Sequence, residues 1–329
     1  MKRNYNFGIM ATGKIAVKMA EALAVVPEAV CYAVASRSQE SAEAFVQENG
    51  FKKAYGSYEA MLQDSALDVV YIATPHNLHF ENTMLCLKYG KHVLCEKPFA
   101  VNGIEVREMV KLAEEKGVFL MEALWSRFMP HIIKAKELII NGTIGEVKLL
   151  TSSFCFQAPF DPDARLYNKD LIGGSLLDIG IYPVFLASYL LGQPKQMSAM
   201  AGFGATGVDD NCSVTFGYDN ETLAVLHSSF HAEKAVEATV HGTKGKIVFD
   251  SPWHEASHFS VFDQSGNEIR HEFDHQGNGY HYEVIEVIKC LNSGALQSNL
   301  MSWDDSIALI DLLDQIRDKA GISYPNHDG

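Results

Sequence analysis

Over roughly the first 122 residues, short apolar runs alternate with amphipathic stretches. Y-N-F-G-I-M (5–10) predicts a strand, and K-I-A-V-K-M-A-E-A-L-A-V-V (14–26) a helix that stops before Pro27. A-V-C-Y-A-V-A-S (29–36) predicts the next strand, followed by a helix over 38–50 with Ser38 as N-cap and Gly50 as its stop. D-V-V-Y-I-A-T, K-H-V-L-C-E and V-F-L-M-E-A continue the series, with helices over about 77–89 and 102–116 between them. Strands apolar on both faces, alternating with helices, predict a doubly wound parallel sheet of the Rossmann type.

After Trp125 the rhythm changes. A helix over about 130–141 leads through N-G-T-I-G into the strand E-V-K-L-L-T-S-S-F-C-F, and a longer helix over about 174–191 follows Gly173-Gly174. Several period-two runs come next, separated by tight turns such as Y-D-N-E and G-T-K-G, and two helical patterns close the chain. This predicts an α+β domain with a largely antiparallel open sheet. The chain, 329 residues long, therefore divides into a dinucleotide-type domain, 1–122, and a substrate-binding and oligomerisation domain, 123–329.

A hydrophobic content of 47% with 21% charged residues fits a globular enzyme or binding protein. No apolar run approaches the roughly 18 residues that span a bilayer, and no signal-type segment precedes the first strand. The six cysteines show no C-x-x-C and fit reduced thiols, so the expected location is cytoplasmic. Three N-x-S/T sequons, at Asn141, Asn211 and Asn220, then read as chance. A net charge of −14 argues against nucleic acid as a partner.

The first strand–helix junction, G-I-M-A-T-G-K-I-A, puts Ala11, Gly13 and Ala16 at the three glycine-type positions of the dinucleotide fingerprint. Ala11, Thr12, Gly13, Lys14 and Ile15 are the candidate pyrophosphate contacts, although a plain strand–helix turn has the same pattern. At the end of the second strand, where an NAD enzyme usually has an acid, stand Ser36 and Arg37. A hydroxyl and a guanidinium suit a 2′-phosphate, so the expected cofactor is NADP(H), with NAD(H) also accepted; a surface arginine at a helix start has the same signature. Thr74, Pro75, His76 and Asn77, at the end of the strand D-V-V-Y-I-A-T, are candidate cofactor contacts, as are Glu96 and Lys97 in C-E-K-P. His76 and His79 lack the partners of a metal site, and none is expected. H-E-A-S-H (254–258) matches a zinc-protease motif, but it follows Pro252-Trp253 and runs into a strand pattern instead of a helix.

In the second domain, G-G-S-L-L-D-I-G-I-Y-P places Asp178 and Tyr182 four apart, on one face if helical. Lys97, Asp178 and Tyr182 together make a proton-transfer set, because a nearby ammonium favours the tyrosinate of a phenol whose free pKa is ~10. With G-I-M-A-T-G-K-I-A, C-E-K-P and G-G-S-L-L-D-I-G-I-Y-P in this order, the chain resembles the Gfo/Idh/MocA oxidoreductases over essentially its whole length. The run 105–130 is most similar to the dimeric dihydrodiol and NADP-dependent sugar dehydrogenase branches.

The resemblance implies Tyr182 as general acid/base, Lys97 as its aid and Asp178 as an orienting group. It also implies His79, Trp125, Phe154, Arg165 and Tyr280 around a carbohydrate, polyol or diol substrate, in a homodimer or higher homo-oligomer. An NADP(H)-binding sensor on the same fold is the competing expectation. Such a sensor has no need of the three proton-transfer residues.

Overall fold

The computed structural model describes residues 3–233, 235–255, 258–274, 277–324 and 326–328. Its first elements are β1 (Tyr5–Met10), α1 (Lys14–Ala24), β2 (Ala29–Ala35), α2 (Gln39–Asn49), β3 (Lys53–Tyr55) and α3 (Tyr58–Leu62). They continue with β4 (Val69–Ile72), α4 (His79–Lys88), β5 (His92–Glu96), α5 (Gly103–Lys116) and β6 (Leu120–Ala123). The strands form one sheet in the order β3-β2-β1-β4-β5-β6, with every pair parallel. β4 and β6 are buried at every residue, which is why β4 is apolar without alternation and β6 is apolar but for Glu122. The Ser38 side chain caps α2 and Gly50, at φ 73°, ends it, as the sequence predicts. The direction of winding reverses between β1 and β4, and the crevice beyond their carboxyl ends is where such sheets bind ligands.

There follow α6 (Pro130–Ile140), β7 (Val147–Cys155), α7 (Ile181–Leu191), β8 (Gln196–Phe203), β9 (Asp209–Gly217) and β10 (Leu223–Ser229). Next are β11 (Ala238–Gly242), β12 (Gly245–Phe249), β13 (His258–Asp263), β14 (Glu268–Glu272), α8 (His281–Ser293) and α9 (Trp303–Ala320). β7 to β14 form an eight-stranded sheet, β14-β13-β12-β11-β7-β10-β9-β8, antiparallel except where β7 meets β10. One face, including Cys212, Val214 and Leu226, packs against Pro183 and Val184 of α7. On the other face Met200, Leu223 and Val225 are exposed at 76%, 46% and 45%.

Two compact units emerge, neither continuous in sequence: Met1–Phe128 with His275–Ala308, and Met129–Asp274 with Leu309–Gly329. The helical stretch Lys169–Leu191 is long and apolar enough to cross a membrane, which corrects the expectation that no run approaches that length. Its most apolar window is 89% buried inside the protein, and it serves as the core helix of the second unit.

Candidate active site

In the first unit the chain turns sharply out of β1. Ala11 takes φ 84°, an uncommon conformation for a residue with a Cβ, and its N–H donates to the Ala35 carbonyl at 2.9 Å. Gly13 follows as the N-cap of α1, without a side-chain cap and with no acid in the first turn. A Cβ at Gly13 would meet nothing within 4 Å. A helix N-terminus with open space before it and no competing anion fits a dinucleotide pyrophosphate. Ser36 lies just past β2, its N–H bonded to the Tyr55 carbonyl, and Arg37 is exposed beside it.

The ends of β4 and β5 are tied together by His79, which has no exposed surface. Its Nδ1 lies 2.8 Å from the Pro98 carbonyl oxygen and its Nε2 2.9 Å from that of Thr74. Asn82 adds a bond to the Thr74 hydroxyl, while His76 is buried and Pro75 and Asn77 are half-buried. The Lys97–Pro98 peptide is cis.

Behind half-buried Lys97 lies a group of carboxyls. Glu96 accepts from the Tyr71 hydroxyl and, at 3.2 Å, from the Lys97 N–H. Burial, then the Glu96 charge, raises the Tyr71 phenol well above its ordinary range, so it remains a proton-bearing donor. Burial and the same charge also hold Glu283 well above the usual carboxylate range. Glu122 is pushed up to about 7 by burial, against opposing bonds from Ser306 and the Phe99 N–H. Near them Trp125 stacks on Tyr280, with ring centroids 4.6 Å apart.

In the second unit the glycine pair brings two segments close. A Cβ on Gly173 would stand 2.7 Å from the Arg165 and Leu166 carbonyl oxygens. Gly174, at φ 132°, leaves room for the Asp209 carboxylate. Asp209 accepts from the Leu176 N–H at 2.7 Å and the Ser175 hydroxyl at 3.1 Å, and Tyr324 donates to the Gly173 carbonyl at 2.8 Å. The next turn, Leu176–Gly180, is π-helical and runs into α7. The wider turn changes the simple one-face relation expected of residues four apart, and π segments are frequent at functional sites.

Asp178, in that turn, is gripped by both Arg165 guanidinium nitrogens at 3.0 and 3.1 Å. Tyr182, 5% exposed, lies against Phe154 and His254 with centroids 5.4 and 5.3 Å away. Four buried residues of these two halves carry no motif that predicts them: Tyr71, Glu122, Glu283 and His254. His254 is the first residue of H-E-A-S-H; Ala256 and Ser257 of that stretch lie outside the described residues. Around it the chain makes a turn and then β13, and no metal-holding cluster occurs among the described residues.

Two family models match the chain: an oxidoreductase family with an NAD-binding Rossmann fold over residues 5–124, and a GFO/IDH/MocA C-terminal domain over 132–248. Trans-1,2-dihydrobenzene-1,2-diol dehydrogenase of Mus musculus is 37% identical, the alignment covering 97% of this chain and 98% of that protein. D-xylose 1-dehydrogenase (NADP(+)) of Hypocrea jecorina is 32% identical over 97% of this chain and 93% of its own. Among solved structures, a mutant of KijD10, a 3-ketoreductase from Actinomadura kijaniata in complex with TDP-benzene and NADP, shares the fold. Its TM-score is 0.88 at 23% identity, with 97% of this chain and 98% of that one covered. The chain belongs to the Gfo/Idh/MocA oxidoreductase family.

Proposed function

We propose that the protein is an NADP(H)-dependent oxidoreductase that moves hydride between the nicotinamide and a secondary alcohol or carbonyl of a sugar, polyol or cyclic diol. The observation that carries this reading is Tyr182 at the first turn of α7, with Asp178 held by Arg165 just before it. The named activities of the 37% and 32% identical relatives support the same class of substrate.

Residues 1–122 hold the nucleotide, with Ala11, Thr12, Gly13, Lys14 and Ile15 on the pyrophosphate and Ser36 and Arg37 on the 2′-phosphate. Thr74, Pro75, His76, Asn77 and Glu96 shape the nicotinamide side. The lack of an acid at the end of β2 and an NADP(+)-named relative support NADP(H), with NAD(H) accepted more weakly. When bound, the cofactor supplies or takes the hydride.

Tyr182 gives its phenolic proton to a carbonyl oxygen during reduction and takes it back during oxidation. Lys97 hydrogen-bonds the reacting oxygen and favours the phenolate. Asp178, fixed in direction by Arg165, orients the substrate hydroxyls. Trp125, Phe154, Arg165 and Tyr280 recognise the substrate, and His79 acts through the two carbonyls it holds.

The six cysteines are free thiols, which supports a reducing, cytoplasmic setting. The apolar residues on the open sheet face support a homodimer through that face.

A paired titration with NADPH and NADH, on wild type and Arg37→Ala, followed by a panel of sugars and diols, tests the reading. NADPH-selective binding that falls roughly 10- to 100-fold in the variant, with oxidation of a sugar or diol by the wild type, is expected. Binding of neither nucleotide, or no turnover of any sugar or diol, would overturn it.

A further inference from the structure

The second unit has a pocket of about 600 Å³ that contains none of the residues assigned above. This is an ordinary volume for a small-molecule site. It opens where β7 and β10 end and β9 begins, and its walls include Gln157, Phe160, Tyr167, Asp210, Phe230 and His231. Along β9 and β10 the residues facing α7 are Val214 and Cys212, Leu226 and Ser228. Asp210 and Phe230 continue that alternation, so the pocket belongs to the same sheet face as α7, near the end that bears Tyr182.

An unbroken line of rings connects the two. From Tyr182 to Phe154 the centroids are 5.4 Å apart, from Phe154 to Phe156 6.5 Å, and from Phe156 to Phe230 5.3 Å. The line continues to Tyr167 at 6.2 Å and to Phe160 at 5.1 Å. Aromatic faces pack well on the C–H faces of pyranose rings.

The polar end is equally particular. Asp210 is only 3% exposed, and its carboxylate accepts from His231 Nε2 and, at 3.3 Å, from Asn211 Nδ2. Glycine at 204 lets the backbone pass close over it, since a Cβ there would stand 2.5 Å from Asp210 Oδ2. A carboxylate accepts up to about four hydrogen bonds, which leaves capacity for ligand hydroxyls. A phosphate-bearing ligand would be repelled, and a plain aryl group would bring it no donor.

Building on the function proposed above, we infer that this pocket is a subsite for a second, neutral sugar ring. The natural substrates are then saccharides of two or more rings, of which one reacts at Tyr182 while the next lies on the aromatic wall and donates hydroxyls to Asp210. Xylobiose and D-xylose are the probes, compared by kcat/KM on wild type, Ala205→Trp at the pocket rim and Phe160→Ala.

The wild type is expected to prefer xylobiose by 10-fold or more, and Ala205→Trp to lower the xylobiose-to-xylose ratio at least 10-fold. Phe160→Ala, the exposed-ring variant, is expected to lower it roughly 3-fold. A wild-type ratio near one, or a ratio unmoved in both variants, would overturn the subsite. If neither sugar reacts, the proposed chemistry is what fails, and saturation-transfer NMR with xylobiose decides the pocket separately. Binding that Ala205→Trp abolishes supports it, and no binding to the wild type overturns it.

Discussion

Tyr182 and Glu122 show how differently a single side chain can matter. Tyr182→Phe keeps the ring that packs on Phe154 and His254 and removes only the hydroxyl. Turnover should fall roughly 10²- to 10⁴-fold while NADPH affinity, read by fluorescence titration, stays within about 2-fold. Glu122, in contrast, writes itself into stability. Its carboxyl rises from 4.5 to about 7 in the fold because burial disfavours the charge. The native state therefore holds the proton more tightly than the unfolded chain. The stabilisation is complete below pH ~4.5 and is lost as pH rises through about 7. Glu122→Gln mimics the protonated acid, so its melting temperature should change less between pH 5 and pH 8. At pH 8 it should be the more stable protein, by up to about 3 kcal/mol. The motifs around Lys97, Asp178 and Tyr182 are legible as text because each is a contiguous run. Glu283 and Tyr71 are not, since they meet Glu96 only after α8 and β4 have packed in the same unit.

Among the elements, the glycine pair before α7 is the most constrained. Gly174→Ala would drive a Cβ into the Asp209 carboxylate and to 2.9 Å from the Tyr324 hydroxyl, at a φ that disfavours any side chain. A loss of roughly 3 kcal/mol or more is expected in thermal or chemical unfolding, with turnover reduced because the Asp178 turn starts two peptide bonds later. An unchanged midpoint would mean that the loop yields freely. Elements with strong periodicity were readable directly: α1, α2, α5 and the buried strands lie within a residue or two of where the apolar pattern puts them. β3, only three residues long, and the adjoining α3 leave too short a pattern to register. The parallel pairing of β7 with β10 and the π-helical turn at Asp178 escape for another reason. Pairing direction and helix pitch are set by packing partners, and a local hydropathy pattern does not encode them.

For the whole molecule, the open sheet face is the feature that association would use. Val225→Asp introduces a carboxylate beside Leu223 and Thr215, on the sheet face that also exposes Met200, without touching the face packed on α7. Light scattering should report a monomer for this variant and a dimer for the wild type, with far-ultraviolet circular dichroism unchanged. A dimeric variant would assign assembly to another surface. The two-part architecture is legible in the change of rhythm after Trp125, but the return of residues 275–308 to the first unit is not. That return has a consequence for biosynthesis. In β6 the Leu120 N–H donates to the Leu296 carbonyl at 3.0 Å, and the Trp303 indole donates to the Leu120 carbonyl at 2.9 Å. Residues 5–123 are made before residues 275–308, yet the last strand of their sheet waits for contacts from that later segment. A nascent chain must therefore hold a parallel sheet with an uncovered edge strand until residues 275–308 have been made, a stage at which chaperones have most to protect.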